Sequence, residues 1–196
     1  MFKKLLTIIV ICVMAVLPSW AELKVDIIAG SAEPTSIAIQ KFETVGDVKS
    51  KDASMIRQVV EDDLKRTGLF RIVNHDAFPE YVKMFEMPNF TSWQAIKTQI
   101  LVQAKLSNAP DNSYKLEFFV WDIDSKEQIE AQALVASKKS VRRLAHIMAD
   151  AIYERLIGEL GYFDTQIVFI AETGPVKKRV KRMAIMDQDG YGMRFL

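Results

Sequence analysis

The spacing of apolar residues predicts an amphipathic helix in the first half of the chain. Five residues share one face at helical spacing: Met55, Ile56, Val59, Val60 and Leu64. Asp52 is the predicted N-cap, and Gly68 is the predicted terminator. Asp63 falls inside the apolar face, where a carboxylate is costly unless it is hydrogen-bonded. We therefore expect Asp63 to cap a loop or to accept backbone donors.

A second helix is predicted from about Ser140 to Ile157. Its apolar residues cover one broad arc: Val141, Leu144, Ala145, Met148, Ala151, Ile152 and Leu156. His146, Asp150 and Tyr153 fall on the opposite side. We predict that these three residues form a polar or partly buried contact surface for a following domain.

Alternation of apolar and polar residues predicts strands around the helices. The predicted strands are Leu23 to Ile28, Ser36 to Ile39, Leu69 to Val73, Gln99 to Leu106, Tyr114 to Ile123 and Gln128 to Ala136, with a short helical turn near Trp93. Polar turns join the last three strands as hairpins. The predicted fold class is α+β, with two helices packed on a mixed, largely hairpin-built sheet. The sequence lacks a Gly-rich strand-to-helix turn of the kind that holds a phosphate.

The last fifty residues predict a change of architecture. The second helix ends near Gly158 and Gly161, and a strand, a charged turn and a second strand follow, ending on Asp187-Gln188-Asp189-Gly190. We predict one domain over residues 22–162 and the start of a β-rich domain over 163–196. An isolated hairpin is marginal in water, so this segment should be poorly ordered, docked on the α+β domain, or paired with another chain.

The N-terminus predicts an export signal over residues 1–21. Lys3 and Lys4 precede an apolar run from Leu5 to Leu17, and small residues lie just before a cleavage point after Ala21. The expected location is the periplasm, and an uncleaved membrane anchor is the alternative. Cys12, the only cysteine, would leave with the signal. The mature chain would then have no disulfide, no thiol nucleophile and no thiolate metal site.

Charge and motifs give no indication of an enzyme. The 26 basic side chains less Lys3 and Lys4 leave 24 against 25 acidic ones, which does not favour nucleic acid as a partner. Two histidines cannot form the usual zinc set without recruited carboxylates, and the Asp187–Gly190 turn lacks the bidentate Glu of a calcium loop. We predict no catalytic residue, metal, cofactor or small-molecule substrate. The alternative is a periplasmic hydrolase in which Asp150 orients His146, one helical turn away.

Several ordered motifs together resemble the TolB family of the Tol-Pal cell-envelope system. They are Asp63-Leu64, Thr67-Gly68-Leu69-Phe70, Ala145-His146, Asp150, Ile152-Tyr153-Glu154, Gly158 and Gly161-Tyr162-Phe163. Met183 to Gly190 also looks like the family's first propeller hairpin. The resemblance extends from Glu22 to Leu196.

The resemblance implies a non-enzymatic periplasmic adaptor that serves outer-membrane integrity and invagination during cell division. By resemblance, a six-bladed propeller binds the lipoprotein Pal, and the mature N-terminal strand binds the C-terminal periplasmic domain of TolA. That strand is Glu22, Leu23, Lys24, Val25, Asp26, Ile27 and Ile28. A free terminal strand suits addition to a partner's sheet. The chain would contain only the first propeller hairpin, so a nonfunctional remnant is a further alternative.

Overall fold

The computed structural model of the chain describes residues 33–196. The predicted signal over residues 1–21 and the predicted partner strand from Glu22 to Ile28 lie outside the described residues. None of the helices within residues 33–196 is both long and apolar enough to span a bilayer.

A mixed sheet forms the centre of the described structure. Its strands are β1 (Thr35–Ile39), β2 (Glu43–Val45), β3 (Phe70–Ile72), β4 (Ile100–Ala109), β5 (Ser113–Asp122) and β6 (Glu127–Ser137). The order is β3-β1-β4-β5-β6, and β2 pairs with β4 farther along the same edge that β1 uses. β1 runs parallel to β3 and β4, whereas β4, β5 and β6 are antiparallel. The predicted hairpins are confirmed.

Two long helices, α1 (Ser50–Arg66) and α3 (Val141–Ile157), cover one face of this sheet, and the short α2 (Phe90–Ala95) lies on the other. The helix-covered core contains Ile37, Ile39, Ile56, Leu64, Val102, Leu116, Phe118, Leu144, Met148 and Ile152. Trp93 of α2 packs with Leu101, Trp121 and Ile123 on the second face. Each long helix buries its predicted apolar face, and the predicted fold class is confirmed.

The start of α1 differs from the prediction. The helix begins at Ser50, and its N-cap residue, Lys49, makes no side-chain capping bond. Asp52, the predicted N-cap, lies in the first turn and accepts a hydrogen bond of 2.8 Å from the Tyr114 hydroxyl of β5. The prediction was wrong because a tertiary partner uses the Asp52 carboxylate. Asp52 therefore links α1 to the sheet.

A second, antiparallel sheet follows α3. It consists of β7 (Gln166–Thr173), β8 (Val180–Asp187) and β9 (Arg194–Phe195), in that order. The predicted strand-turn-strand is confirmed, and β9 is an additional short strand. Residues 33–196 form one compact unit, which matches the docked alternative for the terminal segment. The predicted domain boundary between residues 162 and 163 stays a prediction.

Candidate functional site

A buried histidine–carboxylate pair lies where α1, α3 and the turn between β8 and β9 meet. His146 Nδ1 is 2.6 Å from Asp63 Oδ2, and both side chains are almost fully buried. Asp63 comes from the last turn but one of α1, and His146 comes from the second turn of α3. The pair joins residues 83 positions apart in the sequence.

Asp63 is held by side chains rather than by the backbone. Its Oδ1 accepts hydrogen bonds from the Arg66 guanidinium and, at 3.2 Å, from Gln188 Nε2. The prediction that Asp63 caps a loop or accepts backbone donors was wrong. The backbone N–H groups around Asp63 are used within α1, so the carboxylate takes side-chain donors, from Arg66 of the same helix and from His146 and Gln188 of other elements. It thereby connects α1 both to α3 and to the β8–β9 turn.

The protonation of His146 depends on two nearby carboxylates. Burial lowers the pKa of His146, but the hydrogen bond to Asp63 and the charges of Asp63 and Asp189 outweigh that effect and raise the pKa above its ordinary value of 6.5. The Arg142 guanidinium opposes this rise. Groups on three elements thus set the pKa of the His146 imidazole.

Asp150 does not orient His146. Its two oxygens accept the backbone N–H groups of Phe163 at 2.7 Å and of Asp164 at 3.0 Å. Burial raises the pKa of Asp150, although the two backbone hydrogen bonds act against the rise. The interpretation of His146 and Asp150 as a catalytic pair was therefore wrong: Asp63 occupies the position next to the imidazole. Asp150 instead anchors the chain that leaves α3.

A glycine makes this anchor possible. A Cβ atom at Gly161 would lie 2.2 Å from Asp150 Oδ1 and 2.5 Å from Asp150 Cα. Real Cβ atoms essentially never approach so closely, and one of the two contacts is to backbone. The segment after α3 can approach Asp150 only because residue 161 lacks a side chain.

Tyr153 lies in an aromatic group one turn beyond Asp150. Its ring makes edge-to-face contacts with Phe70, Tyr162 and Phe163, at centroid distances of 6.4, 5.9 and 5.8 Å. Tyr153 and His146 are buried, although both lie on the side of α3 opposite its apolar arc. α3 is therefore covered on two sides, by the sheet with α1 and by the terminal segment. The role of His146, Asp150 and Tyr153 at an interface with a following domain stays a prediction.

The β8–β9 turn brings two more carboxylates to His146. Asp189 binds the Arg142 guanidinium, and its Oδ2 is 4.0 Å from His146 Nε2. Asp187 lies beside Asp189, and His146 and Asp187 both line a cavity of about 620 Å³. Gly190, at φ +85°, permits the tight turn between them and β9. The sequence identified the turn but gave no local signal that it meets α3.

The free nitrogen of His146 defines the chemistry of this group. His146 Nε2 has no hydrogen-bond partner among residues 33–196, and so no described hydroxyl is positioned as a nucleophile for this base. Asp63 orients the imidazole through Nδ1, and the carboxylates of Asp187 and Asp189 lie near its Nε2 atom. The arrangement suits a polar contact between secondary-structure elements or a cation.

Comparison with known proteins gives the family. A model of the TolB amino-terminal domain matches residues 23–129. The Tol-Pal system protein TolB of Paramagnetospirillum magneticum is 42% identical over 189 residues, a match that covers 96% of this chain and 42% of that protein. The chain thus spans less than half the length of this curated relative.

A solved structure supports the same fold. The crystal structure of TolB from Acinetobacter baumannii aligns with a TM-score of 0.70 and 21% sequence identity, covering 83% of this chain and 38% of that one. At this identity the likeness concerns the fold alone. The family model spans more than half of the present chain, and its match includes α1 and most of the mixed sheet. The chain therefore belongs to the TolB amino-terminal domain family.

Proposed function

We propose that this chain forms the amino-terminal part of a non-enzymatic periplasmic adaptor of the Tol-Pal system, which links TolA to Pal and serves outer-membrane integrity and division. The observation that carries the proposal is the 42% identity over 189 residues to a Tol-Pal system protein TolB.

The proposed TolA contact is the strand from Glu22 to Ile28. Leu23, Val25 and Ile27 alternate with polar residues, as expected for a strand that buries one face on a partner. Backbone hydrogen bonds would supply affinity, and the alternate apolar side chains would supply specificity. The Pal contact is assigned to the propeller, of which Met183 to Gly190 belongs to the predicted first hairpin.

The test is a calorimetric titration of the purified protein with the C-terminal periplasmic domain of TolA. Deletion of residues 22–28 should abolish binding. Lys24→Pro and Val25→Pro each remove one backbone N–H, and neighbouring N–H groups of a strand point to opposite edges. We expect one of the two proline variants to weaken binding at least tenfold more than the other, because only one N–H faces TolA.

Lys24→Ala and Val25→Ala are the matched controls, since they keep both N–H groups. Equal loss in a proline variant and its alanine control would assign the effect to the side chain and contradict strand addition. Unchanged binding without residues 22–28 would refute the assigned contact altogether.

The proposed location is tested separately. Mass spectrometry of the protein from a periplasmic fraction should show Glu22 as the first residue, as expected for cleavage after Ala21. A product that retains residues 1–21 would support the membrane-anchored alternative.

A further inference from the structure

We propose that His146, Asp187 and Asp189 bind a divalent transition-metal ion of the zinc type where α3 meets the β8–β9 turn. One ligand atom from each residue lies within 4.8 Å of the other two. Imidazole nitrogen and carboxylate oxygen are both usual zinc ligands. The sequence predicted no metal site because two histidines would need recruited carboxylates, and the tertiary structure brings such carboxylates to His146.

The second observation is the free ring nitrogen of His146. The side chain is 4% exposed, and its Nε2 atom has no hydrogen-bond partner among residues 33–196. Nε2 lies 4.0 Å from Asp189 Oδ2, which is too far for a hydrogen bond. A buried polar atom without a partner is costly, and a cation between the two atoms would remove that cost. Nε2 is therefore aimed at the carboxylates that would complete the site.

Asp63 prepares the imidazole for this role. Its Oδ2 lies 2.6 Å from His146 Nδ1, and the Asp63 carboxylate also accepts two other donors. Nδ1 must therefore carry the proton, which leaves Nε2 as the atom that can bind a metal. A carboxylate on the outer nitrogen of a ligating histidine fixes the ring orientation and raises its basicity. Asp63 is a positioning residue in this site.

The separations between the ligand atoms would fit a zinc ion after small movements of the side chains. Zinc–nitrogen and zinc–oxygen bonds of about 2.1 Å at tetrahedral angles place ligand atoms roughly 3.4 Å apart. The separation of 4.0 Å between His146 Nε2 and Asp189 Oδ2 is wider, and rotation of the carboxylate about its side-chain bonds can shorten it. Three protein ligands would leave a fourth position for water from the adjoining cavity of about 620 Å³.

Arg142 is the internal competitor of the proposed metal ion. Its guanidinium binds Asp189 and lies over the Tyr191 ring, with 3.9 Å between the guanidinium carbon and the ring centroid. Without metal, Arg142 neutralises Asp189. A metal ion would share or take over Asp189 Oδ2, so removal of the guanidinium charge should favour the metal.

The test is a calorimetric titration of Zn²⁺ into tag-free, chelator-treated protein. We expect saturable binding of one ion per chain. His146→Gln should weaken binding at least 100-fold, whereas His75→Gln should leave it within about twofold. His75 is the matched control because it also pairs with a carboxylate, Glu61, at 2.8 Å, but lies outside the proposed site.

Further variants separate metal binding from folding. Asp187→Asn and Asp189→Asn keep side-chain size and should each weaken zinc binding at least tenfold, with circular dichroism unchanged. Asp63→Asn should weaken binding about 10–100-fold, the range for residues that hydrogen-bond to a metal ligand. Arg142→Gln should tighten binding, a result that a merely structural role for the cluster does not give.

Three results would overturn the proposal. The first is the absence of saturable zinc binding by the folded wild-type protein. The second is equal weakening by His75→Gln and His146→Gln. The third is full binding by the folded Asp187→Asn and Asp189→Asn variants. The zinc titration uses neither TolA nor residues 22–28, so its outcome is independent of the test of the proposed function.

Discussion

The two sheets of this molecule are stabilised in different ways. The mixed sheet has apolar layers on both faces, with Ile37, Val102 and Phe118 under the long helices and Leu101 under α2. In the β7–β9 sheet, Ala184 is the only buried residue, while large apolar side chains stay exposed: Ile167, Val168, Ile170, Val180, Met183 and Phe195. The first sheet has a core, and the second has almost none.

Polar contacts hold the second sheet to α1 and α3. Asp189 binds Arg142, Gln188 binds Asp63, and Asp150 fixes the backbone of Phe163. Such contacts are directional and contribute less than burial of apolar side chains. An exposed apolar surface of this kind is typical of a face that another element covers. This region therefore owes its placement to a few side chains of α1 and α3 and to the buried Phe163 ring.

The largest difference in stability should appear when an isoleucine is replaced by alanine next to each sheet, once on the helix that covers the mixed sheet and once in β7. Ile152→Ala on α3 removes a fully buried side chain and should lower the free energy of unfolding by about 2–5 kcal/mol. Ile170→Ala in β7, which is 55% exposed, should cost less than about 1 kcal/mol. Urea denaturation measures both. Similar losses would mean that the second sheet has a core of its own.

The next effect concerns the approach of the terminal segment to α3. Gly161→Ala should cost about 1–3 kcal/mol and loosen residues 163–196, because its Cβ collides with Asp150. Limited proteolysis should show faster cleavage within this segment. Gly158→Ala is the control: it strains a positive φ but meets no neighbour within 4 Å, so it should not expose the segment. Equal cleavage in both variants would contradict the steric explanation.

A smaller, pH-dependent effect is expected at Asp150. Asp150→Asn should cost about 1–2 kcal/mol by weakening the acceptor of two backbone N–H groups. Burial raises the pKa of Asp150 in the folded state above its ordinary value of 3.8. Between pH 3.8 and the folded-state pKa, the folded state therefore binds more protons than the unfolded state. The stability difference between wild type and variant should therefore be largest below pH 3.8 and decline as pH rises through the folded-state pKa. Exposed Glu154→Gln is the control and should show no such trend.

The smallest effect, with the opposite pH trend, is expected in the mixed sheet. Hydrogen bonds from Lys115 and Lys105 lower the pKa of Glu117 below 4.5. This stabilisation is present above pH 4.5 and is lost as pH falls through the lowered pKa. Glu117→Gln should cost at most about 1 kcal/mol at pH 7, and Glu127→Gln on β6 should have no effect. Unfolding curves at pH 7 and pH 3 test the trend, and equal costs at both would contradict it.

Local periodicity was sufficient for the helices and hairpins. Apolar spacing located α1 and α3, and polar turns located the β4–β5–β6 meander, because both patterns follow from backbone geometry within a few residues. The parallel pairing of β1 with β3 and β4 was not specified by any such pattern. Parallel strands are joined by long crossovers, and their register depends on packing between distant segments.

The candidate site also combines features that the sequence predicted with features that only tertiary packing produced. Sequence alone singled out Asp63 as a carboxylate on an apolar face and His146 as a polar residue of α3, and the ordered motifs indicated the family. The alternative interpretation as a hydrolase paired His146 with Asp150, since one helical turn separates them.

Only the tertiary structure decided that Asp63 is the partner and that Asp187 and Asp189 reach the free face of the imidazole. Residues one turn apart on a helix share a face by construction, and local spacing can suggest such a pair. Contacts over 83 residues, such as that between Asp63 and His146, exist only after the helices have packed and the terminal segment has docked. The sequence thus determined which polar groups need a partner, and tertiary packing determined which partner each of them has.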